Sequence, residues 1–209
     1  LFEDFNMELL RLLSIESPVS PEEFKKLSAS EVSEKIYDKM ITGYNRKVET
    51  ISKQAFPVIK NVYETKGQQY INIVVPISDG KRVFHIICNL EKAYQNKGKE
   101  LVKSYQKQIV LSTIDEAWKE QLREMDDLKQ SVQNATYEQK DPLLIYKFES
   151  FNLFKAMVTK VNKDVVSTLM KGHIPIQSSD EVREAEARKR TDMSRYKTQK
   201  SDVPGVNNP

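Results

Sequence analysis

Cysteine is almost missing from this chain of 209 residues: Cys88 stands alone. An internal disulfide is therefore excluded, and such sparing use of cysteine fits a reducing compartment. Histidine is nearly as scarce, with only His85 and His173. The two lie too far apart in sequence to suggest a metal site. His85 and Cys88 are three apart on an expected strand, so they point to opposite faces and cannot chelate together. Glycine is rare as well, at six residues, which favours long helices over many turns. No Walker glycine loop, dinucleotide fingerprint or zinc-ligand cluster is present. An excess of one charge is lacking too. The 33 basic and 30 acidic residues leave a net charge of +3. Without a concentrated basic surface, nucleic acid is not an expected partner. No apolar run approaches the roughly 18–20 residues that cross a bilayer. The first fifteen residues mix Glu3, Asp4, Glu8 and Arg11 into their apolar pattern, unlike a signal peptide. The chain begins with Leu1 rather than methionine, which reads as a piece of a larger protein.

What is present is helical periodicity. The opening segment is an amphipathic helix ending near Leu13. Ser20, Pro21 and Glu23 form a capping box with proline at the first helical position, so a short helix starts there. Ser28 or Ser30 opens a longer one, carrying Ile36, Met40, Tyr44, Val48, Ile51 and Ala55 at steps of three or four. Pro57 is expected to break or sharply kink it, leaving at most a short helical turn from Val58 to Lys66.

The period then changes to two. Ile71, Ile73, Val75 and Ile77 alternate, as do Phe84, Ile86, Cys88 and Leu90, giving strands near 69–77 and 82–90. Asp79-Gly80 as a two-residue turn would set Val75 opposite Phe84, Ile73 opposite Ile86 and Ile71 opposite Cys88. Pro76 suggests that the first strand lies at a sheet edge, open to pairing with a partner. A lone hairpin is marginal in water, so its apolar face must pack on something.

From Lys99 the helical period returns. Leu111, Ile114, Trp118, Leu122, Met125, Leu128 and Val132 form one stripe. Leu144, Phe148, Phe151, Val158, Val161, Val165 and Leu169 form another. Asp141 caps the second helix, Pro142 takes its first position and Gly172 ends it. The expected fold is mainly α: a long antiparallel helical hairpin, a small helical wing and an inserted two-stranded β-hairpin. Ile114, Trp118, Leu122, Met125, Phe148 and Phe151 are the expected packing residues of the hairpin. Its aromatics exceed what two helices can bury, so it should also lie against another long helix, here or in a missing part of the protein. The acidic residues Asp115, Glu116, Glu120, Glu124, Asp126 and Asp127 read as a solvated face, because a catalytic carboxylate pair needs a cleft and a second wall. After residue 172 the chain becomes a polar tail or linker with no apolar face.

Between the two helices runs Ser131 to Pro142, a polar loop whose one large side chain is Tyr137. By composition this residue is either a bystander or a contact group held out on a rigid scaffold.

The collinear signatures Ile-Asp-x-x-Trp-Lys-Glu at Ile114 to Glu120, Met125-Asp126, Leu128 to Gln130, Tyr137, Gln139 to Pro142, Tyr146 and Glu149 to Phe151 closely resemble the C-terminal part of the SecA family of preprotein translocase motors. The resemblance is firm over residues 105–175 and looser over 1–55. It implies a helical wing region at 1–55, an inserted β-hairpin subdomain at 56–104, the two-helix finger of the helical scaffold domain at 105–172, and a tail at 173–209. It implies a fingertip at Tyr137, with Thr136, Glu138, Gln139 and Lys140, that contacts the translocating polypeptide. The implied partners are preprotein substrates, the SecY channel complex, the motor domains of the same chain and, in a homodimer of the parent, a second copy. The implied place is the cytoplasmic face of the inner membrane. ATP and magnesium would belong to motor domains elsewhere in the parent; no cofactor and no catalytic motif is expected in this segment. Three features depart from the family pattern: Gln121 where histidine is usual, Ala135-Thr136 before the tip tyrosine where Arg-Gly or similar is frequent, and the segment 56–104. The alternative reading is a non-catalytic interaction module that docks a partner through its aromatic seam.

Overall fold

The computed structural model describes residues 1–132 and 141–175, and the backbone of the short strand 183–184. Helix α1 (Phe2–Leu13) ends where Ser14 turns left-handed. Helix α2 (Pro21–Lys26) starts on the expected capping box: Ser20 Oγ accepts from Glu23 N, and Glu23 accepts from Ser20 N. Helix α3 (Ala29–Lys66) starts on a second such box, between Ser28 and Glu31. Of the two candidate serines, Ser28 is therefore the cap.

Pro57 does not end α3, contrary to expectation; the helix is continuous to Lys66 and so runs across the wing boundary drawn at residue 55. Proline removes one intrahelical donor and crowds the carbonyl four residues earlier. Both Pro57 and Lys53 are exposed, so water can solvate that carbonyl. Ile51, Ala55, Ile59 and Val62 on the opposite side are buried in one core. Burial on both sides of the proline holds the helix together.

Strands β1 (Asn72–Ser78) and β2 (Val83–Asn89) form the expected antiparallel hairpin, but its register is shifted by two. Val75 faces Ile86, Ile73 faces Cys88 and Ile77 faces Phe84. The turn is centred on Gly80-Lys81, not Asp79-Gly80: Asp79 N donates to Arg82 O at 3.2 Å. Gly80 takes the positive φ of 87° that the turn requires. Asp79 caps the turn, its Oδ1 accepting from Lys81 N and Arg82 N at 2.9 and 2.7 Å. Partial burial disfavours its charge, but these two N–H groups and the Arg82 guanidinium outweigh that, so its pKa lies below the ordinary value. A shift of two keeps every side chain on its face, which is why the apolar pattern survived it. Ile71, expected on that face, precedes the strand and is 73% exposed.

β1 is not an open edge. The sheet order is β2-β1-β3, where β3 (Arg183–Glu184) pairs with Ile73 and Val74. His173 bridges Ser78 through two 2.8 Å backbone bonds. Pairs alternate along an antiparallel ladder, so the even residues of β1 direct their backbone groups away from β2. Pro76, with no N–H to offer, falls between these two contacts.

An unexpected helix α4 (Leu90–Gln95) follows at once, capped by Asn89. Its Tyr94 ring stacks on Tyr63 of α3, centroids 4.2 Å apart. Helices α5 (Lys99–Val132) and α6 (Pro142–Lys171) follow. Asp141 caps α6 as expected, accepting from Leu143 N at 2.9 Å. At 1.5 Å per residue the two helices extend about 50 and 45 Å. The main core joins the second half of α3, the sheet, α4 and the first turns of α5. A smaller one joins α1, the first half of α3 and the end of α6. Far from being a loose appendage, the β-hairpin lies within the principal core.

Replacing Pro57 with alanine restores a donor on an exposed face. Urea unfolding should show a gain of about 1–3 kcal/mol. A loss would mean that the core packing needs the proline's geometry. Asp79 contributes stability above the ordinary carboxylate pKa, near 4, and that contribution fades as pH falls through its lowered folded-state value. The acid limb of the wild-type stability curve should accordingly flatten in Asp79→Asn.

Candidate functional site

The α5–α6 hairpin is built from its base outward. A helix ending inside a protein leaves carbonyl groups that need donors. At the end of α6 two other helices supply them, and the β-turn adds a side-chain contact. From α5, the hydroxyl of Tyr105 donates to Thr168 O at 2.9 Å. From α3, Lys47 Nζ donates to Met170 O. From the β-turn, Arg82 reaches Thr168 Oγ1 at 3.4 Å. The next residues then enter the sheet through His173. Gly172 N also donates to Thr168 O, at 3.1 Å. Burial lowers the Lys47 pKa and raises that of Tyr105. Gly172 is needed for space rather than conformation: a Cβ there would collide with the Tyr105 ring. A further tie joins α5 to α3, where Gln106 Nε2 donates to the Tyr44 hydroxyl at 2.8 Å.

Farther out, the packing differs from expectation. Ile114, Trp118, Leu122, Phe148 and Phe151 are exposed, Trp118 by 48% and Phe151 by 64%. Of the six expected packing residues only Met125 is half-buried. The middle of the seam is instead made by Thr113, Ala117 and Gln121 of α5 with Ser150, Leu153 and Met157 of α6. The reason is geometric. Each outer stripe sits one residue on from the seam (Ile114, Trp118 and Leu122 after Thr113, Ala117 and Gln121; Phe151, Phe154 and Val158 after Ser150, Leu153 and Met157), a turn of about 100°. In two antiparallel helices, the same turn away from the seam brings both stripes to one side. They therefore form a single exposed apolar face along the hairpin. Periodicity located both stripes but could not say that small and polar residues take the seam.

The expected tip residues Tyr137, Thr136, Glu138, Gln139 and Lys140 lie outside the described residues. Among the described residues no group of histidine, cysteine, aspartate or glutamate side chains could hold a metal. No described helix is long and apolar enough to cross a membrane. Cys88 is buried, its thiol pushed up to about 12 by burial and by Glu100, so it has little thiolate character. Sequence reasoning missed Tyr105 and Arg82, whose partners are 63 and 86 residues away, and saw Gly172 only as a helix stop. Lys47, within the Tyr44-x-x-Lys47 pattern, was the one visible signal.

These features define a class: a long helical arm rooted in a small mixed base. The comparisons give the class a family. Residues 2–173 match the SecA wing and scaffold domain, and the chain belongs to that family. The protein translocase subunit SecA of Phocaeicola vulgatus is 48% identical over 202 residues, covering 97% of this chain and 18% of the relative. Those of Bacteroides fragilis and Bacteroides thetaiotaomicron are 47% and 49% identical, over 99% and 94% of the chain and 20% and 18% of the relatives. The chain thus spans at most a fifth of the length of these relatives. No solved structure matches it.

Gly172→Ala should displace Tyr105 and leave the Thr168 carbonyl one donor short. Chemical denaturation should register a loss of about 1–3 kcal/mol. Tyr105→Phe, which keeps the ring and removes only the hydroxyl, should lose a similar amount. Wild-type stability in both variants would remove the base contact from the account.

Proposed function

We propose that this chain is the wing and two-helix finger portion of an ATP-driven protein-export motor, acting mechanically rather than chemically. The observation that carries the reading is the base. The end of α6 is held by Tyr105, Lys47 and Arg82 from three different elements. Such a root transmits motion of the base to the far end of two long helices. The segment that joins these helices in sequence contains Tyr137, whose ring offers apolar contact to any polypeptide and whose phenol can hydrogen-bond backbone. Thr136, Glu138, Gln139 and Lys140 surround it in sequence. Both properties suit a group that grips a chain without regard to its sequence.

In this reading the partners are preprotein substrates, the SecY channel complex and the motor domains of the same parent chain, with a second copy where the parent dimerises. ATP and magnesium act in those motor domains. The assembly works at the cytoplasmic face of the inner membrane. The exposed face of Trp118, Leu122, Phe148 and Phe151 supports contact with another part of the parent, because so large an apolar surface is seldom left to water. The same face supports a second reading, in which the hairpin is an interaction module and its tip is inert.

Tyr137→Ala in the full-length parent separates the two. The export reading expects translocation to fall while basal ATP hydrolysis is retained; unchanged export sinks it. The second reading expects Trp118→Ala or Phe151→Ala to abolish partner binding and Tyr137→Ala to leave it intact.

A further inference from the structure

In the middle of the α5–α6 seam, between Thr113 and Leu128, the one buried α5 side chain is polar. Gln121 is 4% exposed and its Oε1 has no hydrogen-bond donor. An unpaired buried acceptor is costly. One residue on, Leu122 is exposed, as are Trp118 and Ile114 on the same stripe. Each helix therefore carries two adjacent faces, and the poorer of them is buried. A twist of about 100° in each helix would turn Ile114, Trp118 and Leu122 toward Phe151, Phe154 and Val158 and release Gln121 to water. Met125 of α5 and Val161 of α6 fall between the two faces, about 40° from the observed seam and about 60° from the outer stripe. Both are half-buried and stay near the seam in either position.

We propose that the middle of the hairpin is a two-position element. The helices pair along the observed seam or along the twisted one, and Gln121 keeps the two close in free energy by weakening the observed pairing. Covering the outer face holds the observed seam; uncovering it releases the twist. Contact on the face of the arm is thereby coupled to the geometry of its shaft, whatever the tip touches. Packed interfaces with two discrete arrangements respond to small biases in this way.

The single tryptophan makes the test direct, because Trp118 is exposed in one position and buried in the other. In the 209-residue chain, Gln121→Leu favours the observed seam. Its melting temperature should rise by on the order of 5 °C, with tryptophan emission still that of an exposed indole. Gln121→Glu at pH 8 places a charge that the observed seam cannot bury. Its emission should shift to the blue and its acrylamide quenching should fall, with helical circular dichroism retained and no dependence on protein concentration. Phe151→Ser in that background should reverse the shift. The proposal is overturned if Gln121→Glu only lowers stability while Trp118 stays exposed, if its blue shift grows with concentration and so reports association, or if Gln121→Leu gains no stability.

Discussion

Everything beyond the base depends on how the end of α6 is satisfied. A buried helix terminus needs donors for its last carbonyl groups, and water is not freely available there. Tyr105 and Lys47 provide them from two other helices, and Arg82 adds a contact from the β-turn to the Thr168 hydroxyl. Each contact fixes the element that supplies it, so the end of α6 ties α3, α5 and the β-hairpin together. The short segment after the helix extends the tie into the sheet through His173. Gly172 follows from the same constraint, since the donor's ring occupies the space that a side chain would need. The β-hairpin is thus part of what roots the arm.

Along the shaft the physics changes from satisfaction to choice. Two long helices with apolar residues on more than one face can pair in more than one way. The observed pairing leaves the larger side chains outside and small or polar ones between the helices. In the proposed reading the outer face meets another surface of a larger assembly. Membership of the SecA wing and scaffold family, with relatives at least five times longer, accords with that view.

Much of the fold was legible in the sequence because local signals act over a few residues. The Ser20 and Asp141 caps, the Gly172 stop and the change of period at the β-hairpin all depend on neighbours within a turn or a strand. Where expectation failed, a distant partner decided. Pro57 should end a helix by local rules, yet burial of Ile51, Ala55, Ile59 and Val62 carries α3 through it. Pro76 marks an edge by local rules, yet residues about a hundred positions later cover that edge on either side of it. The turn moved on by one residue, and the register by two, because Asp79 serves as its cap, leaving Gly80 to take the positive-φ position.

By itself the sequence determined the kinds of element, most of their ends, the antiparallel hairpin and the family resemblance, because periodicity, capping and collinear motifs are properties of the chain alone. Tertiary structure decided which of two adjacent faces each long helix buries, and which residues anchor the base. Helical periodicity marks an apolar face without naming its partner. Only the position of the second helix showed that Gln121 is inside and Trp118 outside.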